Sequence, residues 1–372
     1  MGYGIKDRVF VQLSINGVEI PLEDNVIDFI HIVESARIFL PMLTFKILDA
    51  TKFLTKKNLL VDGALIQLTT EVLNDRETYM FRLFSSREQI IGGLTFYIVR
   101  GYLDAYRYWT MSMNTPLLTS ASGVIRRCAS MGGLEYDGPE TADRMSWMPN
   151  NRRLCVLAAE TAQRAYIGPK SCFQICVSTD KRLIARDIST LPESVESYSN
   201  KEVSENTNII TDFGILNRGG FYNVNTGYKD FRFTQTLLNT TPPSGIRDVQ
   251  VEKNSVKLML NQEIRGIAQN RVLYAPISTG SVHSNYEKAF YQNIRLANLF
   301  NFGIEIVTPI RPKVRLFESF TAEVSKPGVD SVEQYNGKFL LTSKVFYYTG
   351  ANAFFKIEGF RHGLNIGEST QV

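Results

Sequence analysis

The stretch LTFYIVRGY, residues 94–102, returns with few changes near the other end of the chain as NAFFKIEGF, residues 352–360. The positions that match without a gap are Phe96 with Phe354, Tyr97 with Phe355, Val99 with Ile357, Gly101 with Gly359 and Tyr102 with Phe360. A second pair of strands extends the likeness, since LTTEV at 68–72 aligns with FTAEV at 320–324. The repeat predicts a duplicated β domain. The alternative is two unrelated β domains that use common strand residues.

The composition is that of a folded chain with room for more than one core. Of 372 residues, 44% are hydrophobic and 21% are charged, and this length favours two or three domains. The net charge is +4, with no block of Lys and Arg of the kind that binds nucleic acid. No long apolar run predicts a membrane span, and the opening MGYGIKDRVF lacks the apolar core of a secretory signal. We therefore expect the protein to stay in the cytoplasm where it is made.

Residues 1–110 are predicted to form a first domain that is nearly all β. In RVFVQLSINGVEIPL, residues 8–22, an Asn16-Gly17 turn separates two strands, and Gly92-Gly93 separates two more. Residues 199–372 return to β character and are predicted as a second β domain. Its one clear helix is expected at about 285–301, and the polar stretch 240–275 has no evident role.

Residues 111–198 are predicted to be a small α+β insertion of two helices and a hairpin. The first helix is expected to start at Thr115-Pro116 and to stop at Gly132-Gly133. The second is expected within NRRLCVLAAETAQRAYIG, residues 151–168. The fold class is thus mainly β, an α+β chain with two β domains and an inserted third.

The strand predicted at 338–348 is apolar on both faces. Leu340, Phe346 and Tyr348 lie on one face, opposite a second apolar set. A strand that is covered on one side only alternates apolar with polar residues. Either the helix at 285–301 or another protein chain is therefore expected to cover the second face, and these three residues are the candidate interface.

Nothing in the sequence marks an active site. His31 lies in an apolar strand and is predicted to be a core residue, while His283 lies in a loop and His362 ends the last strand. Metal-site spacing, nucleophile elbows and phosphate loops are missing from the sequence, so no cofactor, metal or small-molecule substrate is expected. Among the acidic residues no pair stands out; those considered are Glu135 with Asp137 and Glu318 with Glu323.

The four cysteines are predicted to be buried free thiols. Cys172 and Cys176 lie in SCFQICVS, which looks like a strand. Residues four apart on a strand are about 13 Å apart, too far to share one zinc ion. A chain without a secretory signal also seldom uses structural disulfides.

Three stretches of sequence together resemble the baseplate hub proteins of contractile-tailed bacteriophages. They are YNGKFLLTSKVFYYTGANAFFKIEGFRHG at 335–363, SASGVIRRCASMGGLEYD at 120–137 and MPNNRRLCVLAAETAQRAY at 148–166. The order β domain, insertion, second β domain, helix and closing strands is similar too. This family includes the late-control D-type tail hubs, and the N-terminal part of type VI secretion spike proteins is similar to it.

The resemblance implies a structural protein of the virion rather than an enzyme. It implies two tail-tube-like barrels in each chain and a homotrimer that forms a pseudo-sixfold ring. The implied partners are the central spike, the tail-tube protein, other baseplate proteins and DNA that passes through without sequence-specific binding. His362 would then simply end a barrel strand.

Three alternatives remain at this point. One is a hub fused to a cell-wall hydrolase, for which only LNIGESTQV follows the last predicted strand, too little for a further domain. Another is a carbohydrate-binding module at a tail tip. The third is a hexameric tail-tube or distal-tail protein.

Overall fold

The structure is a computed structural model of the chain. It describes residues 9–22, 26–168, 171–201, 207–217, 230–236, 247–249, 272–279, 283, 285, 289, 292, 302–325, 335–350 and 352–361.

The first β unit follows the sequence prediction closely. Its elements are β1 (Val9–Ile15), β2 (Val18–Glu19), β3 (Ile27–Ser35), β4 (Met42–Leu48), α1 (Phe53–Lys56), β5 (Leu65–Val72), β6 (Asp75–Ile91) and β7 (Leu94–Leu103). Asn16 and Gly17 both have positive φ, as do Gly92 and Gly93, so both predicted two-residue turns are present.

The insertion contains both predicted helices, but the first begins later than expected. Its elements are α2 (Tyr106–Thr110), β8 (Ser112–Met113), β9 (Leu117–Thr119), α3 (Ala121–Gly132), β10 (Glu135–Asp137), β11 (Met145–Trp147), β12 (Arg152–Arg153), α4 (Leu154–Ala162), β13 (Phe173–Val177) and β14 (Arg182–Asp187). The prediction of a start at Thr115-Pro116 is wrong, because Leu117–Thr119 pair with β11 and the Ser120 side chain caps the helix at the Gly123 N–H. Gly133, with φ 78°, ends it as expected.

The second β unit is built from strands that are farther apart in the chain. They are β15 (Ser194–Ser199), β16 (Thr207–Ile209), β17 (Asp212–Asn217), β21 (Phe302–Thr308), β22 (Ser319–Glu323), β23 (Gly337–Tyr348) and β24 (Ala353–Arg361). A separate sheet consists of β18 (Asp230–Thr236), β19 (Arg247–Val249) and β20 (Val272–Thr279). The helix predicted at about 285–301 lies outside the described residues except for Asn285, which is in a turn, and Ala289 and Gln292, which are both helical. The polar stretch 240–275 also falls mostly outside them.

The same strand order occurs in both β units. One large sheet contains the order β1-β5-β6-β7-β4-β3 in the first unit and β15-β22-β23-β24-β21-β17 in the second. Taken in chain order, the six strands of each unit occupy the same six places. One difference is that β1 pairs antiparallel with β5, whereas β15 pairs parallel with β22. The repeated order favours a duplicated unit over two unrelated β domains.

The repeated glycine has the same structural reason in both units. A Cβ built on Gly101 would lie 3.2 Å from the Cβ of Phe81, and one built on Gly359 would lie 2.8 Å from the Cβ of Phe339. Both glycines lie on the last strand of their unit, opposite the neighbouring hairpin strand. A Cβ at Gly359 would therefore collide with its neighbours, and one at Gly101 would require its neighbours to shift by a few tenths of an ångström, because interiors are close-packed.

The hairpin of β23 and β24 contributes to two hydrophobic cores. Phe346 and Phe355, near its turn, belong to the core of the first β unit. Leu341 and Ile357, farther from the turn, belong to the core of the second. Residues 343–348 of β23 also pair with β3, so the large sheet is continuous from one unit into the other. The two β units therefore share this hairpin. A second domain that begins at residue 199, as predicted from the sequence, would contain the whole hairpin, although part of it packs in the core of the first unit.

Candidate functional site

The structure places two of the three predicted interface residues inside the chain. Leu340 is 0% exposed and belongs to the same buried cluster as Cys176 and Ile184 of the insertion. Phe346 is 3% exposed and lies in the core of the first β unit. The assignment of Leu340 and Phe346 as candidate interface residues is therefore corrected, because elements of the same chain bury both side chains. Tyr348 is half-buried against the first core and stays a prediction.

A buried polar joint connects the three parts of the chain. Glu34, on β3, is 3% exposed. Its carboxylate accepts hydrogen bonds from the backbone N–H and the hydroxyl of Thr179, in the turn between β13 and β14, at 3.2 and 2.8 Å. The Nζ of Lys344, on β23, lies 3.9 Å from the same carboxylate. A buried carboxylate is stable only with such partners, so Glu34 fixes the insertion to both β units.

Arg311, from the loop between β21 and β22, forms the other half of this joint. Its guanidinium donates to the carboxylate of Glu77 and to the hydroxyl of Tyr79, and it reaches the backbone oxygen and the hydroxyl of Thr70 at 3.3 and 3.0 Å. It also lies over the ring of Phe355, 5.2 Å from the centroid. Burial, together with the negative charge of Glu77, raises the pKa of Tyr79 well above its usual value.

The side chains of the joint leave little space between them. The cavity between its side chains has a volume of about 20 Å³, which holds at most a water molecule. Its charged groups are engaged with one another across the contact of the two β units. These contacts hold the two β units and the insertion in one arrangement.

The histidines are dispersed. His31 is half-buried on the outer face of β3, where its ring stacks on Phe29 at 4.7 Å and contacts Tyr347 at 4.6 Å. The prediction of a core position for His31 is therefore wrong, because its strand neighbours Ile30 and Ile32 face the core instead. His283 is buried, and burial lowers its pKa. His362 lies outside the described residues, and β24 ends at Arg361.

The prediction of buried free thiols is confirmed. Each of the four cysteines, Cys128, Cys155, Cys172 and Cys176, is buried and free. Burial raises the pKa of Cys128 to about 12 and that of Cys176 well above its usual value. Such thiols stay protonated at neutral pH and are poor nucleophiles.

Three of the four acidic residues considered from sequence, Glu135, Asp137 and Glu318, have structural partners. Asp137 pairs with Arg186 at 2.9 Å, and that hydrogen bond holds the pKa of the carboxyl below its usual value. Glu135 lies 3.6 Å from Arg182, and Glu318 accepts a hydrogen bond from the Arg315 N–H. Across the described ranges, no cluster of His, Cys, Asp and Glu side chains has the arrangement of a metal site. Within the same ranges no helix has the length and apolarity to cross a membrane.

Two exposed apolar features were not predicted from sequence. One is the turn of the β6–β7 hairpin, where Ile90 is 71% exposed, Ile91 54% and Leu94 48%. The signal for it was available, since IIGGL places apolar residues on both sides of a two-glycine turn.

The second feature is an open cavity of about 450 Å³ between the first β unit and α2. Tyr102 and Trp109 stack in it at 5.7 Å, and Phe84 meets Tyr102 at 5.1 Å. The guanidinium of Arg82 lies 5.8 Å from the ring of Tyr106. These aromatic residues come from β6, β7 and α2, so only the fold brings them together.

The fold of the chain is similar to that of tail proteins of known structure. The tail protein from Neisseria meningitidis MC58 superposes with a TM-score of 0.61 at 10% identity, over 96% of this chain and 97% of that one. The 43 kDa tail protein of prophage MuSo2 from Shewanella oneidensis gives a TM-score of 0.61 at 10% identity, over 95% and 98%. Prophage tail protein gp18 from Listeria monocytogenes EGD-e gives 0.51 at 8% identity, over 95% of each chain.

These similarities concern the fold alone. At 8–10% sequence identity, the roles of individual residues cannot be transferred from those proteins to this chain. No protein-family model matches the sequence, and no curated protein matches it. The expected fold class, mainly β with a tail-protein architecture, is confirmed. The suspected resemblance to phage tail proteins is confirmed at the level of the fold.

Proposed function

We propose that the protein is a structural, non-enzymatic hub of a phage-type tail baseplate. Three copies form a ring with six similar β units, which joins the sixfold tail tube to the threefold central spike. The observation that carries the proposal is the repeated strand order within one chain. A chain with two equivalent units lets a trimer present six similar faces on one side and three on the other.

The polar joint supports the same role. A ring that transmits load between a tube and a spike needs its two units in a fixed relation. The contacts of Arg311 and Glu34 supply that relation within each chain. The partners are the spike, the tube protein and other baseplate proteins, and the protein is located in the virion. DNA passes through the ring without tight binding, in keeping with the low net charge of +4.

The mass of the purified protein in solution tests this proposal. Light scattering after size exclusion is measured for the protein alone and mixed with its candidate spike protein. We expect a trimer, or a monomer that becomes a trimer when the spike is added. A stable hexamer would instead indicate a tail-tube or distal-tail protein, and a monomer under all conditions would contradict the hub.

The aromatic cavity favours one second candidate, a carbohydrate-binding tail-tip module. Cavities lined by aromatic side chains with a few polar groups are typical binding sites for small ligands. Glycan-array binding of the protein, compared with its Trp109→Ala variant, tests this candidate. Binding that the variant loses would support it, and no binding to any glycan would remove it.

A further inference from the structure

Two long strand edges, one in each β unit, have no partner strand among the residues that the structure describes. In β6, residues 75–82 pair with β5, but residues 85–91 pair only with β7 among the described residues. In the second unit β17 pairs, within those same residues, only with β21. An open edge presents unpaired backbone N–H and C=O groups, which a further strand can satisfy.

The open half of β6 has a counterpart whose edge is already paired. The β6–β7 hairpin aligns with the β23–β24 hairpin without a gap from Leu83 to Leu103. Each hairpin has an irregularity at the aligned place, between Leu83 and Ser85 in one and between Leu341 and Ser343 in the other. Their turns align too, with positive φ at Gly92 and at Gly350. Bulges and turn positions fix register, so the two hairpins are structurally equivalent.

The partner of that counterpart is β3 of the same chain. Residues 343–348 pair antiparallel with 30–35, with Phe346 opposite Ile32 and Tyr347 opposite His31. The strand equivalent to β3 in the second unit is β17. This follows from residues that lie directly opposite one another on successive strands, which form a row across the sheet in each unit. These rows are Ile32, Leu43, Gly101 and Leu83 in the first unit and Ile215, Ile304, Gly359 and Leu341 in the second.

We propose that residues 85–91 of one copy pair antiparallel with Asp212–Asn217 of the next copy around the ring. The register follows from the pairing of β23 with β3 inside the chain. It places Arg87 opposite Leu216, Glu88 opposite Ile215, Gln89 opposite Gly214 and Ile90 opposite Phe213. The inference rests on the proposed ring. It adds which strands join the copies and in what register.

Burial at equivalent positions supports this pairing. Ile30 and Ile32 are 1% and 3% exposed where β23 pairs with their strand. Their equivalents Phe213 and Ile215 are only half-buried, and Ile90, the residue expected opposite Phe213, is 71% exposed. A strand added to β17 would complete the cover of both side chains. Each copy gives one edge and accepts another, so the contact is heterologous and closes as a ring.

Cysteine cross-linking tests the register directly. In the chain, the equivalent pair His31 and Tyr347 brings its rings to 4.6 Å. Directly opposed residues in antiparallel strands have Cα atoms about 4.5–5.5 Å apart, within the range that a disulfide spans. A Cβ at Gly214 meets nothing closer than 3.8 Å, so a cysteine fits there. We expect a mixture of the Gln89→Cys and Gly214→Cys variants, assembled and oxidised, to give a covalent dimer on a non-reducing gel.

A double variant carrying both cysteines is expected to give a covalent trimer, since three links close the ring. The matched control replaces Gln89→Cys with Glu88→Cys, which is one residue out of register and points to the other face of the strand. The parent protein, with its four buried thiols, gives the background. A trimer by light scattering in which the register pair links no better than this control would overturn the strand pairing and leave the hub intact. A protein that stays monomeric with its spike would overturn both.

A second variant tests the contact without cysteines. Ile90→Glu places a charge on an exposed residue near the end of β6, so the fold of the chain is retained while the proposed contact with Phe213 is lost. We expect the trimer to dissociate at concentrations at least tenfold higher than for the parent. Leu118→Glu, at a residue of the insertion that is 66% exposed, is the control and should leave the trimer unchanged. Equal behaviour of the two variants would contradict the proposal.

Discussion

Gly359 lies where two aromatic side chains leave no room for a methyl group. A Cβ there would be 2.5 Å from the ring of Phe320 and 2.8 Å from the Cβ of Phe339. We expect Gly359→Ala to lower the free energy of unfolding by about 1–3 kcal/mol, because overpacking a dense core forces side chains out of their rotamers. Urea unfolding followed by tryptophan fluorescence measures the change.

Gly214 provides the control for this prediction. It also lies on a strand of the second unit, but its nearest neighbour to an added Cβ is Glu305 at 3.8 Å. Gly214→Ala should therefore change stability by less than about 1 kcal/mol, and in the stabilising direction if the unfolded chain loses freedom. Similar losses in both variants would show that the repeated glycine is not required for packing.

Single residues were predicted well where their chemistry is local. Asn16-Gly17 and Gly92-Gly93 prescribe their turns, and the thiols of Cys172 and Cys176 are buried as expected. His31 was misplaced because an apolar strand does not say which of its two faces meets the core. The neighbouring residues Ile30 and Ile32 face the core. Because side chains alternate along a strand, His31 between them faces outward.

At the scale of elements, the sequence predicted strands and helices better than their ends. The start of α3 was expected at Thr115-Pro116, since proline is favoured in a first helical turn. Tertiary pairing of Leu117–Thr119 with β11 overrides that preference, and Ser120 supplies the cap instead. Helix propensity is a weak prior where a strand partner is available.

The polar joint is an element-scale contact that no local pattern announced. Arg311 contacts Thr70, Glu77 and Tyr79, all more than 200 residues away in the chain. We expect Arg311→Met to lower the free energy of unfolding by about 2–3 kcal/mol, because hydrogen bonds from a charged group are lost and buried acceptors are left unpaired. Calorimetry of the variant tests this.

The control for Arg311 is an arginine in an exposed ion pair. Arg152 lies 3.8 Å from Glu160, and their side chains are 59% and 40% exposed. Arg152→Met should cost less than about 1 kcal/mol, since surface pairs are screened by solvent. If the two variants lose the same stability, the joint contributes no more than a surface contact.

At the scale of the whole molecule, the sequence predicted two similar β units but not how they are joined. Phe346 was considered for an interface because its strand is apolar on both faces. The apolar residues on both faces of this strand correctly predicted that both faces are covered. Hydrophobicity alone does not indicate which surface covers them. Strand β3 and the first core cover Phe346. At the contact of Ser35 with Thr342, the two strands are 307 residues apart in the sequence. Local periodicity carries no information about a partner so far along the chain.

The shared hairpin predicts coupled stability of the two units. Phe346→Ala removes a large side chain from the first core, although the residue belongs to a strand of the second unit. We expect a loss of about 3–5 kcal/mol and faster amide exchange in β3 and β4 as well as in β23. Hydrogen exchange followed by mass spectrometry resolves these strands separately.

Val345→Ala is the matched control, since Val345 is the adjacent residue and is only half-buried on the opposite face of β23. It should cost about 1 kcal/mol and leave exchange in β4 unchanged. If Phe346→Ala accelerates exchange in β23 alone, the two units are independent and share no core.

The pairing of β3 with β23 also sets an order in time. When β3 leaves the ribosome its partner strand has not been made, because 307 residues separate Ser35 from Thr342. At about 5–20 residues per second, the first core waits roughly 15–60 s for Phe346 and Phe355. During that interval an apolar strand edge is exposed on the nascent chain. Translation speed and chaperone supply are therefore expected to influence the yield of soluble protein through this one hairpin.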